Sequence, residues 1–251
     1  MQRRRLAIGL VIVLVASVAT ISFIMRQQDD AKPIEQGQYS AKKEVTFDKT
    51  QYSLDSPTSP WLVVNKRRPL NPKDFAPQLG MPQVGLRLAA NNPEMQVSQQ
   101  IVPALQQLFA AAKQAGRDLI IASGYRSYQT QVTVYNNEVK RNGQQVADQE
   151  SARPGYSEHQ TGLAVDIGAA SRKCEVESCF GDMPEGQWLA ANAYRYGFII
   201  RYSQNNEATT GYTYEPWHLR YVGTELANEL HKQGNPPLET YFNLGAAPDY
   251  Q

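Results

Sequence analysis

The sequence predicts an α+β fold: a central antiparallel sheet flanked by helices, preceded by an N-terminal apolar helix and a flexible stalk. Three observations predict it. Segments of helical period and short antiparallel-looking strand runs follow one another through the second half of the chain. An uninterrupted apolar run opens the chain, and a polar stretch without apolar period separates it from the rest.

The opening run extends from Leu6 to Met25, behind three consecutive arginines, Arg3 to Arg5. It is just long enough to cross a bilayer as a helix. Basic residues before it place the N-terminus in the cytoplasm and the rest of the chain outside. Ser17-Val18-Ala19 has the small-residue pattern of a signal-peptide cleavage site, so residues 1–26 read as a membrane anchor or a signal peptide. The run continues past Ala19, which favours the anchor, and either reading exports the domain. Residues 27–60, with Asp29-Asp30, Lys42-Lys43 and Ser-Pro pairs, read as the stalk. Residues 61–251 are then the folded domain.

Within that domain Trp61 to Val64 is a short apolar run, and Pro69 to Pro82 is a loop region punctuated by proline. After Ser98, Val102, Leu105, Leu108, Phe109 and Ala112 share one helical face, and Gly116 stops the helix. Asp118 to Ser123 reads as a buried strand. Ser127 caps a helix to about Arg141 with Val132, Tyr135 and Val139 inward, ended by Asn142-Gly143. Gly162 to Ile167 is the next strand. Asp182 and Glu185 resemble a capping box before a helix that carries Trp188 and Leu189 and stops at Gly197. Phe198 to Tyr202 and Trp217 to Val222 are strands around a polar loop, and Thr224 caps a last helix.

Composition excludes some functions. The net charge is +1, and no block of Lys and Arg occurs beyond the extreme N-terminus, so no nucleic-acid partner is expected. The chain has three histidines. His231, late in the last helix, favours the helix dipole. The other two sit beside acids. His159 and Asp166 are seven positions apart in S-E-H-Q-T-G-L-A-V-D-I, and His218 follows in Y-E-P-W-H-L-R-Y-V. Two imidazoles and one carboxylate make a three-ligand zinc set with a fourth position open to water. Glu215 stands three residues before His218 and is the candidate base for that water. Arg126, at the end of its strand, is the candidate donor to an oxyanion or a clamp for a substrate carboxylate. The ordinary alternatives are a structural His–Asp pair, a Glu215 that only orients a ligand, and an Arg126 that only pairs with a carboxylate. Trp217 and Tyr221 read first as core aromatics.

Three motifs then resemble a family. S-G-Y-R-S-x3-Q (Ser123 to Gln131), P-G-x-S-E-H-Q-T-G-L-A-x-D (Pro154 to Asp166) and Y-E-P-W-H-L-R-Y-V-G (Tyr214 to Gly223) look like VanY-type D-alanyl-D-alanine carboxypeptidases. These are LAS metallopeptidases, the group that includes lysostaphin-type and hedgehog-type domains. The similarity spans about residues 61–242, with the V-N-K-x2-P-L segment also fitting. The resemblance implies a LAS-type domain with one zinc on His159, Asp166 and His218, Glu215 as catalytic base, and Arg126 binding substrate or transition state. It further implies Gln131 and Ser157 in a pocket for the peptidoglycan stem peptide, with Tyr202 and Trp217 lining it. The expected activity is removal of D-alanine from stem peptides by an exported monomer held to the membrane by its N-terminal segment. The alternatives are an L,D-carboxypeptidase acting on tetrapeptide stems, a non-catalytic wall-binding module, and a cross-link endopeptidase.

Cys174 and Cys179 are the only cysteines, in the polar loop R-K-C-E-V-E-S-C-F-G. No further soft ligand stands nearby for a zinc knuckle, and an exported chain permits oxidation, so a disulfide is expected. It closes a short loop after the strand of Asp166, placed to rim a substrate cleft.

Overall fold

Residues 47–250 are described by the structure, a computed structural model of the chain. The anchor or signal segment and the first part of the stalk lie outside the described residues. Among the described residues no helix is long and apolar enough to cross a membrane.

The class is α+β. A two-stranded ribbon, β1 (Leu79–Gly80) and β2 (Val97–Ser98), precedes helix α1 (Val102–Gln114). Leu105, Leu108, Phe109 and Ala112 are buried, as their period requires, and Pro103 stands in the first turn, where no N–H is needed. Strand β3 (Leu119–Ser123) leads to helices α2 (Tyr128–Asn142) and α3 (Gln144–Glu150). Strand β4 (Ala164–Ala169), helix α4 (Pro184–Asn192), strand β5 (Phe198–Tyr202), the short helix α5 (Glu207–Thr210) and strand β6 (Glu215–Tyr221) follow. Helices α6 (Thr224–Lys232) and α7 (Leu238–Tyr241) close the described chain. The four strands form one antiparallel sheet in the order β3-β4-β6-β5.

β3, β4 and β6 are almost wholly buried. The main core holds α1, α4 and the sheet together through Leu105, Leu108, Ile121, Val165, Ile167, Leu189, Phe198 and Leu219. A second core joins Trp61, Val63 and Val222 to Leu226 and Leu230 of α6 and to Leu238 and Tyr241.

Several expectations need correction. The compact unit starts at Phe47 rather than at Trp61. Phe47 stacks on Trp61 with centroids 5.4 Å apart, Lys49 Nζ donates to the Tyr241 carbonyl at 2.9 Å, and the Val63 amide donates to Leu54 at 3.0 Å. Widely spaced anchors of this kind leave no period in a polar sequence. In α2 the buried side chains are Gln131 and Tyr135, while Val132 and Val139 are only half-buried. Ser127 does cap that helix, accepting from the Thr130 amide at 3.1 Å. Asp182 and Glu185 form no capping box: Met183 is the cap residue of α4 and makes no side-chain cap. At α6 the cap position is Gly223 rather than Thr224. Helix α5 occupies a stretch read as loop, and α3 follows the glycine that ends α2. His231 stacks on Tyr194 at 3.7 Å between centroids.

Candidate active site

Strand register brings the motif residues together. Asp166 lies directly opposite His218 on β6 and opposite Ser123 on β3. Residues directly opposite in a sheet share a face, so Asp166 and His218 must converge. Asp166 lies inside β4.

Glu215 poses a geometric problem, because a spacing of three along a regular strand places side chains on opposite faces. The pairing of β5 with β6 removes it. Ile200 pairs with Leu219 and Tyr202 with Glu215, so β6 takes four steps (219 − 215) where β5 takes two (202 − 200). The extra residues form a bulge that re-aims the side chain. Pro216, which has no N–H to give to the ladder, stands inside it. Glu215 Oε2 ends 3.4 Å from His218 Nδ1.

His159 comes from a short 3-10 turn, Glu158–Thr161, buried throughout. Gly162 ends the turn with φ +67°, and a Cβ there would lie 2.7 Å from the Ser98 amide nitrogen. At the end of β3, Gly124 lies so close to the Gln96 carbonyl that a Cβ would sit 2.2 Å from it. That close approach sets the Gly124 carbonyl 2.7 Å from His159 Nδ1. A carbonyl only accepts, so Nδ1 carries the proton and Nε2 keeps its lone pair toward Asp166 Oδ2, 3.3 Å away. His218 turns Nδ1 toward Asp166 Oδ1 at 3.4 Å and Nε2 toward Glu158 Oε2 at 3.3 Å. The two imidazoles stand nearly perpendicular, 5.0 Å apart.

Burial sets the electrostatics of every group here. It would raise Asp166, but His159 and His218 outweigh it and hold the carboxyl well below the usual range. It likewise opposes the ionisation of Glu158, which Arg220 and Arg201 overcome. Burial also disfavours charge on His218, yet the neighbouring carboxylates of Asp166 and Glu158 raise it to about 10. His159 is lowered, by burial first, with Asp166 opposing. Glu215 is pushed up to about 8 by burial, against the pull of His218. The carboxylates thus draw positive charge to the edge between Asp166 and His218, a place suited to a dication.

The donor set fits one. Ligand atoms of His159, Asp166 and His218 all lie within 4.8 Å of one another. Asp166 Oδ1 is buried and has no hydrogen-bond partner, which in a protein interior asks for an occupant. Glu215 lies beside this set without belonging to it.

A profile of the VanY family, described as D-alanyl-D-alanine carboxypeptidase, matches residues 94–224, which contain all of these groups. The chain belongs to the VanY family. It is 41% identical over 191 residues to the putative carboxypeptidase YodJ of Bacillus subtilis (strain 168), covering 76% of this chain and 69% of that protein. Among solved structures it resembles the LdcB LD-carboxypeptidase, with TM-score 0.70 and 41% identity over 74% of this chain and 87% of that one. It also resembles a vancomycin-resistance D,D-pentapeptidase VanY solved as a mutant in complex with Zn(II), with TM-score 0.61 and 35% identity over 74% of this chain and 99% of that one.

The chain is a VanY-type zinc metallopeptidase, and His159, Asp166 and His218 are the residues placed to hold its zinc. We expect one zinc per chain by elemental analysis of protein made without a histidine tag. Full activity in strong chelator, with no metal found, would sink the ligand assignment.

Arg126 sits at the mouth of the site. Its guanidinium donates to Gln131 Oε1 at 3.1 Å and to Ser123 Oγ at 3.2 Å, and its backbone N–H donates to the His159 carbonyl at 3.2 Å. Gln131 is fully buried and donates in turn to the Ala152 carbonyl at 2.6 Å. It therefore holds Arg126 and is not among the residues lining the cleft. Ser157, Tyr202 and Trp217 do line a cleft of about 980 Å³ together with the metal ligands, Arg126 and Glu215. Tyr202 also packs on the His218 ring at 4.9 Å.

Sequence reasoning passed over Glu158, whereas the loop expected to rim the cleft does supply part of its wall, through Val176, Glu177 and Ser178. That wall is the loop joined by a Cys174–Cys179 disulfide, with Cα atoms 5.6 Å apart. Arg172, Cys174 and Val176 all adopt positive φ there, a conformation unfavourable for residues with a Cβ. The covalent link closes the part of this segment that carries Cys174 and Val176. We expect the double substitution Cys174→Ser, Cys179→Ser to raise KM several-fold with kcat nearly unchanged and zinc retained. A loop this short adds roughly 2 kcal/mol or less, so the melting temperature should fall only slightly. Unchanged KM and melting temperature would remove any role for the link.

Proposed function

We propose that the chain is an exported carboxypeptidase, anchored by residues 1–26, that removes the C-terminal D-alanine from peptidoglycan stem peptides. The observation that carries this reading is Glu215. A bulge in the sheet turns its carboxylate onto the face of the ligand set, beside it and outside it. A module that only bound the wall would have no use for that carboxylate. Zinc, when bound, makes water acidic enough to deprotonate near neutral pH and polarises a carbonyl oxygen. Glu215 takes the proton of the attacking water and passes it to the amine of the departing D-alanine. Burial, which raises this carboxyl, makes it a stronger base than an exposed one. Arg126, held by Gln131 and Ser123, has donors left for the negative charge that develops on the scissile carbonyl. His159 and His218 keep their rings fixed through the Gly124 carbonyl and Glu158.

Two bonds present this chemistry: the D-Ala–D-Ala bond of a pentapeptide stem and the L,D bond of a tetrapeptide stem. The VanY profile supports the first. The higher TM-score and identity to LdcB support the second. Synthetic pentapeptide and tetrapeptide stems given to the soluble domain, with released D-alanine and residual masses measured, test both. Release of D-alanine from neither would overturn the proposal. The export reading rests on Leu6 to Met25 behind its arginines, and protease accessibility of the domain in intact cells tests it.

A further inference from the structure

We infer that Glu158 is a positioning residue for the metal centre: it selects Nδ1 of His218 as the ligating nitrogen, and a buried charge cluster locks it in place. The inference rests on His218 being a metal ligand.

The geometry divides the two oxygens of Glu158. Oε1 receives both guanidinium contacts, from Arg201 Nε at 2.8 Å and from Arg220 Nη1 at 2.8 Å. Oε2 alone faces His218 Nε2, at 3.3 Å. An ionised carboxylate only accepts, so Nε2 must carry the proton, and the lone pair falls on Nδ1, the nitrogen that faces Asp166. His159 uses the opposite choice, its Nδ1 being held by the Gly124 carbonyl. The two imidazoles therefore reach one point with different nitrogens, which two unlike acceptors dictate.

The cluster does more than neutralise Glu158. Arg201 grips Glu239 with two bonds of 3.0 and 2.6 Å, and Glu239 accepts from Asn65 at 2.9 Å. Arg220 donates to the carbonyls of Pro60 and Leu62 at 3.1 and 2.6 Å. The Glu158, Arg201, Arg220 and Glu239 side chains are all fully buried. Two acids and two arginines cancel, so no net charge is left over. Taking four charges out of water rarely gains stability over well-packed apolar residues. What apolar residues cannot supply is an ionised acceptor beside a metal ligand. Arg220 stands two positions after His218 on β6, on the same face of the strand, so one strand delivers both the ligand and the cation that steadies the ligand's partner.

The first test uses the unmodified, zinc-loaded protein. Its three histidines make long-range proton–nitrogen correlation spectra of the imidazoles assignable. We expect His218 to be protonated at Nε2 with the zinc-dependent shift on Nδ1, and His159 the reverse. Ligation of His218 through Nε2 would overturn the inference while leaving His218 a ligand. No zinc-dependent shift at His218 would overturn the ligand assignment as well. The second test is zinc affinity, by competition with a chelating dye. Glu158→Gln should bind zinc about 10- to 100-fold more weakly, the usual consequence of losing such a partner. Glu239→Gln disturbs the same cluster without touching His218, so it should lower the melting temperature and leave zinc affinity largely intact. Equal loss of zinc affinity in both variants would make Glu158 merely a structural charge. If Glu158→Gln does not fold, the spectra of the unmodified protein decide.

Discussion

Glu215→Ala is expected to lower kcat on a stem peptide by about three orders of magnitude while one zinc stays bound, the range general-base removal spans. The two halves of that expectation come from one piece of geometry. Glu215 is close enough to the centre, 3.4 Å from His218 Nδ1, to reach a water placed there. It is nevertheless outside the set whose ligand atoms cluster, so its loss leaves that set whole. Steady-state kinetics with a pentapeptide and elemental analysis of the same preparation measure both halves. Zinc lost along with activity would make Glu215 a ligand or a structural residue. Turnover within a few-fold of the unmodified protein would remove it from the mechanism.

The distinction between base and ligand was legible in the sequence only in outline. The E-P-W-H spacing names the residues, but strand alternation alone would set Glu215 on the wrong face. The bulge between β5 and β6 decides the matter, and bulges leave only faint marks, here the proline after Glu215. The ligand set was easier to read. The chain has three histidines, two of them stand beside acids in the motifs, and cross-strand pairing of Asp166 with His218 does the rest. Glu158 was harder, since a glutamate between a serine and a histidine looks like an ordinary loop residue. A signal existed nonetheless. Arg201 in F-I-I-R-Y and Arg220 in W-H-L-R-Y-V stand inside strands that read as buried, and a buried guanidinium demands a carboxylate. Asking where those partners lay would have led to Glu158 and Glu239. Gln131 entered through the resemblance alone, and a motif match does not show that such a side chain also holds a neighbouring arginine. The start of the compact unit at Phe47 was hidden because its contacts are single aromatics and backbone bonds, which carry no period.

The position of Gln131 shapes the expectation for its partner. Arg126→Lys should lower kcat by about a hundred-fold or more and leave KM within a few-fold, the signature of a contact made in the transition state. The guanidinium reaches Gln131 and Ser123 with two of its donors and keeps others for the cleft. Arg126 lines the same cleft as His159 and Glu215, and its backbone N–H donates to the His159 carbonyl, which keeps it beside the metal-ligand set. A lysine keeps the charge but not the planar fork, so it cannot hold both anchors and still present a donor at a fixed point. Gln131→Leu leaves Arg126 in the protein but removes the acceptor that aims it, so its loss in kcat should be smaller, about ten-fold, with zinc unaffected. The double variant should then be no worse than Arg126→Lys alone, because the effect of Gln131 passes through Arg126. A KM that rises while kcat holds would instead assign Arg126 to the substrate carboxylate, and additive losses in the double variant would give Gln131 a role of its own.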